Sequence, residues 1–463
     1  MIPQNVSCPA SPAGTIHRSI RLLCTAFEEL GVKSVSMEVE RIAVMIHAAM
    51  TVGTRSFHTP EHIFTLVDPL NPHNNLAALF HDIVYYSVDQ GFTPEIAEAI
   101  RSDIEQRDDA LWLRSSRRGD PGMDLCLGVF GLEAGQKLPA AGGMNEFLSA
   151  LVMNRRLADF VPAADLLVAT GCIEATIPFR KPDASGRTPA DILHLRLEQT
   201  ARLLGLAMEE GRIEKAVQWA VAFANRDVAN FAEPEVTRFL DNTWKLIPES
   251  NPSLRTQGVY SIRSYRVAMQ KMEGFLRFLD PDTIFARFHG VPDEAEFGAM
   301  RDRARRNVTT ARDYLGIKLL TAAVLEALAE ATGGDAPVSL FMGDIGAKGK
   351  GDRIDDYLPP CDPAPGLPLE AGLYDLLAHG RASASSFDLQ NSPLSLFLYL
   401  NLGTGETRRR LEDARAMFSG KVAARAFLDS LPAGMTATVA RACARMAFTR
   451  GGELEGYAAS RGT

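Results

Sequence analysis

The stretch Asn74-Asn75-Leu76-Ala77-Ala78-Leu79-Phe80-His81-Asp82-Ile83-Val84-Tyr85 decides how this chain is read. Leu76, Leu79, Phe80, Ile83 and Val84 recur at helical spacing, which predicts a buried helix capped by Asn74 and Asn75. A histidine and an aspartate stand side by side within that apolar run. Two further segments carry the same chemistry. Phe57-His58-Thr59-Pro60-Glu61-His62 precedes it, and Asn225-Arg226-Asp227-Val228-Ala229-Asn230 closes a helix that buries Ile213, Val217, Ala220, Val221 and Ala224. Imidazoles and carboxylates that converge in a core need partners, because an unpaired buried polar group is costly. A divalent metal ion suits this mixture of nitrogen and oxygen donors.

Working outward, helical periodicity dominates. Residues 15–31 and 37–52 repeat apolar positions every three or four residues, and a short helix is expected after Thr59 with Pro60 in its first turn. Further helices are expected at 93–107, 143–157, 162–174, 189–209, 212–231, 234–246, 258–279, 293–314 and 316–332. No clear period-2 strand is present, so the expected fold class is all-α: a helical bundle with a C-terminal helical extension. The segment 333–367 is rich in Gly, Pro and Asp and reads as a loop or linker. Helices resume at 368–450, with apolar patterns at 369–377, 383–402, 405–417, 420–430 and 434–449.

Composition bounds the function. The chain has 463 residues, enough for two domains or one large helical one, and its 46% hydrophobic content supports a real core. A formal net charge of −8 disfavours a non-specific nucleic-acid binder but not a small anionic substrate, since a metal ion supplies its own positive charge. Cys8, Cys24, Cys126, Cys172, Cys361 and Cys443 are scattered without a CxxC pair, which argues for reduced core thiols. Neither a signal peptide nor a run long enough to span a bilayer is visible, so the expectation is a soluble, cytoplasmic protein with no membrane partner.

The three segments together resemble the HD superfamily of metal-dependent phosphohydrolases, whose minimal motif is H…HD…D. The helical core is similar to that of cyclic-nucleotide phosphodiesterases, which carry YHNxxH, then an HD pair, then an Asp closely followed by Asn. Here the first element is Phe57-His58-Thr59-Pro60-Glu61-His62, with Phe for Tyr and Thr for Asn; the others are His81-Asp82 and Asp227-Val228-Ala229-Asn230. A smaller bacterial group of HD phosphohydrolases, with RxYH and FHDxVY, resembles Arg55, His58, His62 and Phe80–Tyr85 more closely. The resemblance spans roughly residues 15–280 and implies a metal-dependent hydrolase domain at 14–285, with 290–332 as a helical continuation.

The resemblance implies that His62, His81, Asp82 and Asp227 ligate one divalent ion (Mn, Fe, Zn, Mg, Co or Ni). Asp82 would bridge to any second ion and would orient the attacking water, and His58 would protonate the leaving oxygen. Arg55 could contact a phosphate, because guanidinium matches that geometry, and Glu61 and Asn230 would hold ligands in place. One departure stands out. The phosphodiesterases carry a histidine between the HD pair and the last Asp, whereas the comparable stretch here, Leu167–Glu174, has Thr170 and no histidine. This weakens a tight second ion, and with it oxygenase chemistry. The expected function is hydrolysis of a phosphoester, a nucleotide or other small phosphorylated molecule. Two alternatives stay open: an HD-type iron oxygenase, and a non-catalytic metal-stabilised scaffold that binds a protein partner. The oligomeric state is open too.

Other signals read as ordinary surface or core. His17, His47, His73, His289 and His379 are expected to be satisfied core or surface residues. Gly346–Asp352 (GAKGKGD) lacks phosphate-loop spacing. Arg301–Arg306, Arg408–Arg410 and Arg114–Arg118 are expected to face solvent.

Overall fold

The computed structural model describes residues 14–33, 36–115, 119–140, 142–256, 259–343, 351–363, 365–383, 385 and 387–461. Among them are twenty α-helices and a single two-stranded hairpin, so the fold is all-α. Cys8, most of GAKGKGD and residues 116–118 of the RSSRR run lie outside the described residues. None of the described helices is long and apolar enough to cross a membrane. The chain forms two compact units. The first comprises residues up to Ala229 together with Asp282–Arg301; the second comprises Asn230–Pro281 and everything from Asp302 onward.

In chain order the first unit contains α1 (Thr15–Glu29), α2 (Ser36–Met50), α3 (Pro60–Thr65), α4 (Pro72–Phe80), α5 (Tyr86–Asp89) and α6 (Pro94–Ile100). A hairpin of β1 (Ile104–Arg107) and β2 (Ala110–Leu113) follows, then α7 (Pro121–Phe130), α8 (Met144–Leu157), α9 (Ala163–Ala175), α10 (Pro189–Leu203) and α11 (Arg212–Asp227). The central element is α9, buried continuously from Leu166 to Glu174 and packed by α4, α7, α8, α10 and α11. Thr170, in the stretch where the phosphodiesterase histidine is missing, accepts from Asn154 Nδ2 at 2.9 Å and serves the core.

Local chemistry explains α4. Its cap is Asn71, not Asn74 or Asn75: the Asn71 side chain accepts from the Asn74 N–H, and Pro72 fills the first helical position. Asn74 and Asn75 are instead buried inside the helix. Asn75 closes the preceding turn by bonding both N–H and C=O of Asp68, and Asn74 accepts from Cys172 Sγ. The helix also ends sooner than expected, at Phe80, with His81 as its C-cap.

The expected helix over 93–107 is a short helix followed by the hairpin. Asp108 and Asp109 both take positive φ (45° and 58°), the backbone twist that a two-residue hairpin turn needs. Helix α7 was not expected, although Asp120 caps it and Gly131 closes it in the left-handed conformation.

The second unit holds α12 (Val236–Ser250), α13 (Ile262–Phe278), the greater part of α14 (Glu294–Ala331), α15 (Val338–Met342), α16 (Ala371–His379), α17 (Pro393–Phe418), α18 (Ala424–Ser430), α19 (Ala433–Met446) and α20 (Gly451–Arg461). The two helices expected at 293–314 and 316–332 are one, and the expected linker contains α15 and a turn of 3₁₀ helix at Ile354–Tyr357. In this unit's interior, Asp388 receives Lys318 Nζ at 2.7 Å, Arg381 NH1 at 3.1 Å, Trp244 Nε1 at 2.9 Å and Tyr265 OH at 3.1 Å. Burial alone would raise its carboxyl pKa, but Lys318 and Arg381 overcome that and hold it below the usual range. Removing the carboxylate leaves two buried cations unpaired. Asp388→Ala is therefore expected to cost about 3–5 kcal/mol, read as a lowered urea midpoint for the second unit's transition.

Candidate metal centre

Three segments of the first unit meet at the predicted residues. His62 lies in the first turn of α3, where Pro60 opens the helix and buried Ile63 anchors it. His81 caps the C-terminus of α4, Asp82 follows in the turn, and Asp227 is the last residue of α11. Next to Asp227, Asn225 fixes the end of α11 by bonding both N–H and C=O of Ala286, at 2.8 Å each.

His62 Nε2 lies 3.0 Å from Asp227 Oδ1 and 3.6 Å from Asp82 Oδ2. His81 Nε2 lies 3.0 Å from Asp82 Oδ2 and 3.6 Å from Asp227 Oδ1. One donor atom each from His62, His81 and Asp227 lies within 4.8 Å of the other two, a spacing that one ion can bridge.

The fit to a cation rests on His81. Its Nδ1 bonds the Ala78 carbonyl at 3.1 Å, which assigns the proton to Nδ1 and leaves Nε2 as the free donor atom. That Nε2 is buried, faces two carboxylates and is aligned for a hydrogen bond with neither. An imidazole fixed through its far nitrogen by a backbone carbonyl is how histidines are held for metal ligation.

Electrostatics point the same way. Burial disfavours a charged His81, but Asp82 and Asp227 outweigh it and raise its pKa well above the ordinary value. Burial likewise opposes ionisation of Asp82 and Asp227, yet the surrounding imidazoles win. Asp82, beside His81 and His58, falls well below the usual carboxylate range, and Asp227, bonded by His62 and near the charge of His81, drops to about 2.

The remaining expectations divide. His58 sits against the cluster, its ring 4.9 Å from Phe57, 4.9 Å from Tyr85 and 5.8 Å from His62. Arg55 does not offer a phosphate contact. Its side chain is fully buried, doubly bonded to Asp89 at 2.9 and 2.5 Å, and NH1 donates to the Asp82 carbonyl at 2.7 Å. The guanidinium therefore clamps the Asp82 backbone. Glu61 does not hold a ligand either; it is exposed and pairs with Arg18 at 2.7 Å. Asn230 lies in the short 3₁₀ helix at Ala229–Ala232, where its carbonyl accepts from Glu233 N–H.

One residue escaped the sequence reading. Glu146, in the first turn of α8, is pushed up to about 7, chiefly by burial and then by the charges of Asp82 and Asp227. The same turn is tied to the loop after Asp82. Asn145 Oδ1 accepts from Tyr86 N–H at 3.2 Å, and Ser149 Oγ accepts from Val84 N–H at 3.1 Å. In sequence, Glu146 is indistinguishable from an acidic residue favouring a helix N-terminus.

Of the other histidines, His47 bonds Thr15, His73 bonds Asp165, His289 pairs with Glu214 and His379 with Asp375. His47, His289 and His379 are satisfied as expected, whereas His73 bonds through Nε2 and its buried Nδ1 has no hydrogen-bond partner among the described residues. Comparisons with models of known families, with characterised proteins and with solved structures find no match for this chain.

Two outcomes follow from these charges. Binding an ion must displace the His81 proton, so titration with Mn²⁺ or Zn²⁺ at neutral pH is expected to release about one proton per ion. Isothermal titration in buffers of different ionisation enthalpy reads this directly. In metal-free protein, the His81 pairings stabilise fully below its unfolded value of about 6.5 and are lost as pH rises through the raised folded value. Those of Asp82 and Asp227 are present above about 4 and are lost as pH falls toward their folded values. The metal-free melting temperature should therefore fall at alkaline pH, and added metal should restore it.

Proposed function

We propose that this chain is an HD-type metal-dependent phosphohydrolase that acts on a nucleotide or other small phosphoester. The observation that carries the reading is the convergence of His62, His81 and Asp227 from three separated segments, with His81 Nε2 buried and unbonded beside Asp82. The order of these residues along the chain is the H…HD…D order of that superfamily.

His62, His81, Asp82 and Asp227 would hold one divalent ion, which supplies positive charge against the phosphoryl oxygens and lowers the pKa of a nearby water, together worth several kcal/mol. Asp82, its backbone fixed by Arg55, orients the water. His58, close enough to lower the Asp82 pKa by its charge, carries the proton for the departing oxygen. Glu146 has a pKa near neutrality, so it can exchange a proton at the pH where the reaction runs. Nothing in the ligand set calls for a second ion.

The assay is hydrolysis of bis(p-nitrophenyl) phosphate by purified protein with Mn²⁺ or Fe²⁺, combined with elemental analysis and oxygen uptake. His81→Ala and Asp82→Ala are expected to lose both metal and turnover. His58→Ala should keep metal and lose about 10²–10⁴-fold in kcat. Full metal stoichiometry in Asp82→Ala would overturn the ligand assignment. Oxygen uptake by a two-iron form would replace hydrolysis with oxygenase chemistry, and metal without turnover would leave a structural scaffold.

A further inference from the structure

We infer that the second unit carries a separate binding site for a small aryl or otherwise ring-bearing phosphate. The site is a cavity of about 190 Å³ among α13, α14, α16 and α17. Its floor is apolar and buried, formed by Gly316, Ile317, Leu373, Tyr399 and Leu411. Its mouth carries Arg277, Arg312, Arg408 and Arg415 against Glu273, Asp313 and Glu412.

The pairing pattern decides which guanidiniums are left. Arg408 takes Asp313 at 2.9 Å and Glu370 at 3.2 Å, and Arg415 takes Glu273 at 2.7 Å and also Glu412. The carboxylates are thereby used. Arg312 has no ion pair or hydrogen bond among the described residues, and Arg277 has only the face of Phe278, 4.8 Å from its guanidinium. Two un-neutralised guanidiniums thus flank one opening in a chain whose net charge is −8. Planar guanidinium groups match the oxygens of a phosphoryl group bidentately.

The cavity is built by glycine at two places. Gly403 breaks α17 with φ 67°, and a Cβ there would lie 3.3 Å from the Pro368 carbonyl. The kink is pinned on both sides: Thr404 N–H donates to Pro368 at 3.1 Å, and Tyr399 OH bonds Thr404 Oγ1 at 2.7 Å. It sets Tyr399 on one side of the break and Thr404, Thr407 and Leu411 on the other, all lining the cavity. On α14, a Cβ on Gly316 would approach Leu411 Cδ2 to 3.1 Å. The missing side chain keeps the floor open, and a cavity on the order of 150 Å³ admits a six-membered ring.

The test uses the full chain, freed of metal with a chelator, and phenylphosphonate as a probe that cannot be hydrolysed. Phenylacetate and inorganic phosphate serve as comparators, and binding is read by isothermal titration. Phenylphosphonate is expected to bind more tightly than either comparator. The double variant Arg277→Gln/Arg312→Gln should weaken it by about tenfold or more with an unchanged melting temperature, because both side chains are exposed. His81→Ala, which alters the metal centre in the first unit, should bind it as the wild type does. No binding to wild type, equal binding to the double variant, or loss in His81→Ala alone would overturn the proposal.

Discussion

Two imidazoles and two carboxylates forced together at helix ends are the constraint on which the first unit depends. Asp227 is the last residue of α11, and His81 with Asp82 follows the last turn of α4. The C-terminus of a helix already carries partial negative charge, so a carboxylate there is unfavourable for stability. Two such ends bring two carboxylates within 3.6 Å of the same buried imidazole nitrogen. Without a cation, the arrangement is held by raising His81 and depressing Asp82 and Asp227. A fold selected for stability alone would place neutral or basic residues at these ends. This unfavourable placement supports the cation site proposed above.

Much of this was legible in the residues, because its signals are local or are carried by type and order. The apolar spacing of Leu76, Leu79 and Phe80 specifies a buried helix wherever it sits, and His81-Asp82 at its end announces chemistry. What periodicity does not reveal is where a helix stops. Ile83 and Val84 continue the apolar run, yet the helix ends at Phe80, because Val84 N–H is taken by Ser149 and Arg55 holds the Asp82 carbonyl. Both partners are remote in sequence. The cap was misplaced for a related reason: Asn71, Asn74 and Asn75 are all competent caps, and only tertiary bonds to Asp68 and Cys172 draw the last two inward. The hairpin was missed because Asp108-Asp109 is a weaker turn signal than Asn-Gly, although it adopts the same left-handed pair.

Arg55 and Glu146 show where residue type misleads. An arginine two residues before the Phe57–His62 element invites a phosphate role, but Asp89, thirty-four positions downstream, captures it. The result is a support for Asp82 in place of a contact with substrate. Glu146 is the converse: an unremarkable acidic residue in sequence, it gains its character from burial and from two carboxylates on other segments. Both properties are long-range, and neither can be read from spacing.

The two units treat buried carboxylates differently. In the second unit both oxygens of Asp388 are bonded, by Lys318, Arg381, Trp244 and Tyr265, and Arg381 stacks 4.4 Å over the Trp244 ring. Four side chains gathered on one carboxylate fix one packing. In the first unit, His81 Nε2 lies equally deep, 3.0 Å from a carboxylate, and is left unbonded. An unmet donor atom in the interior carries a standing cost of about 1–3 kcal/mol. The atoms facing His81 Nε2 are oxygens of two carboxylates, and it is this mixture of nitrogen and oxygen donors that supports the proposed cation site.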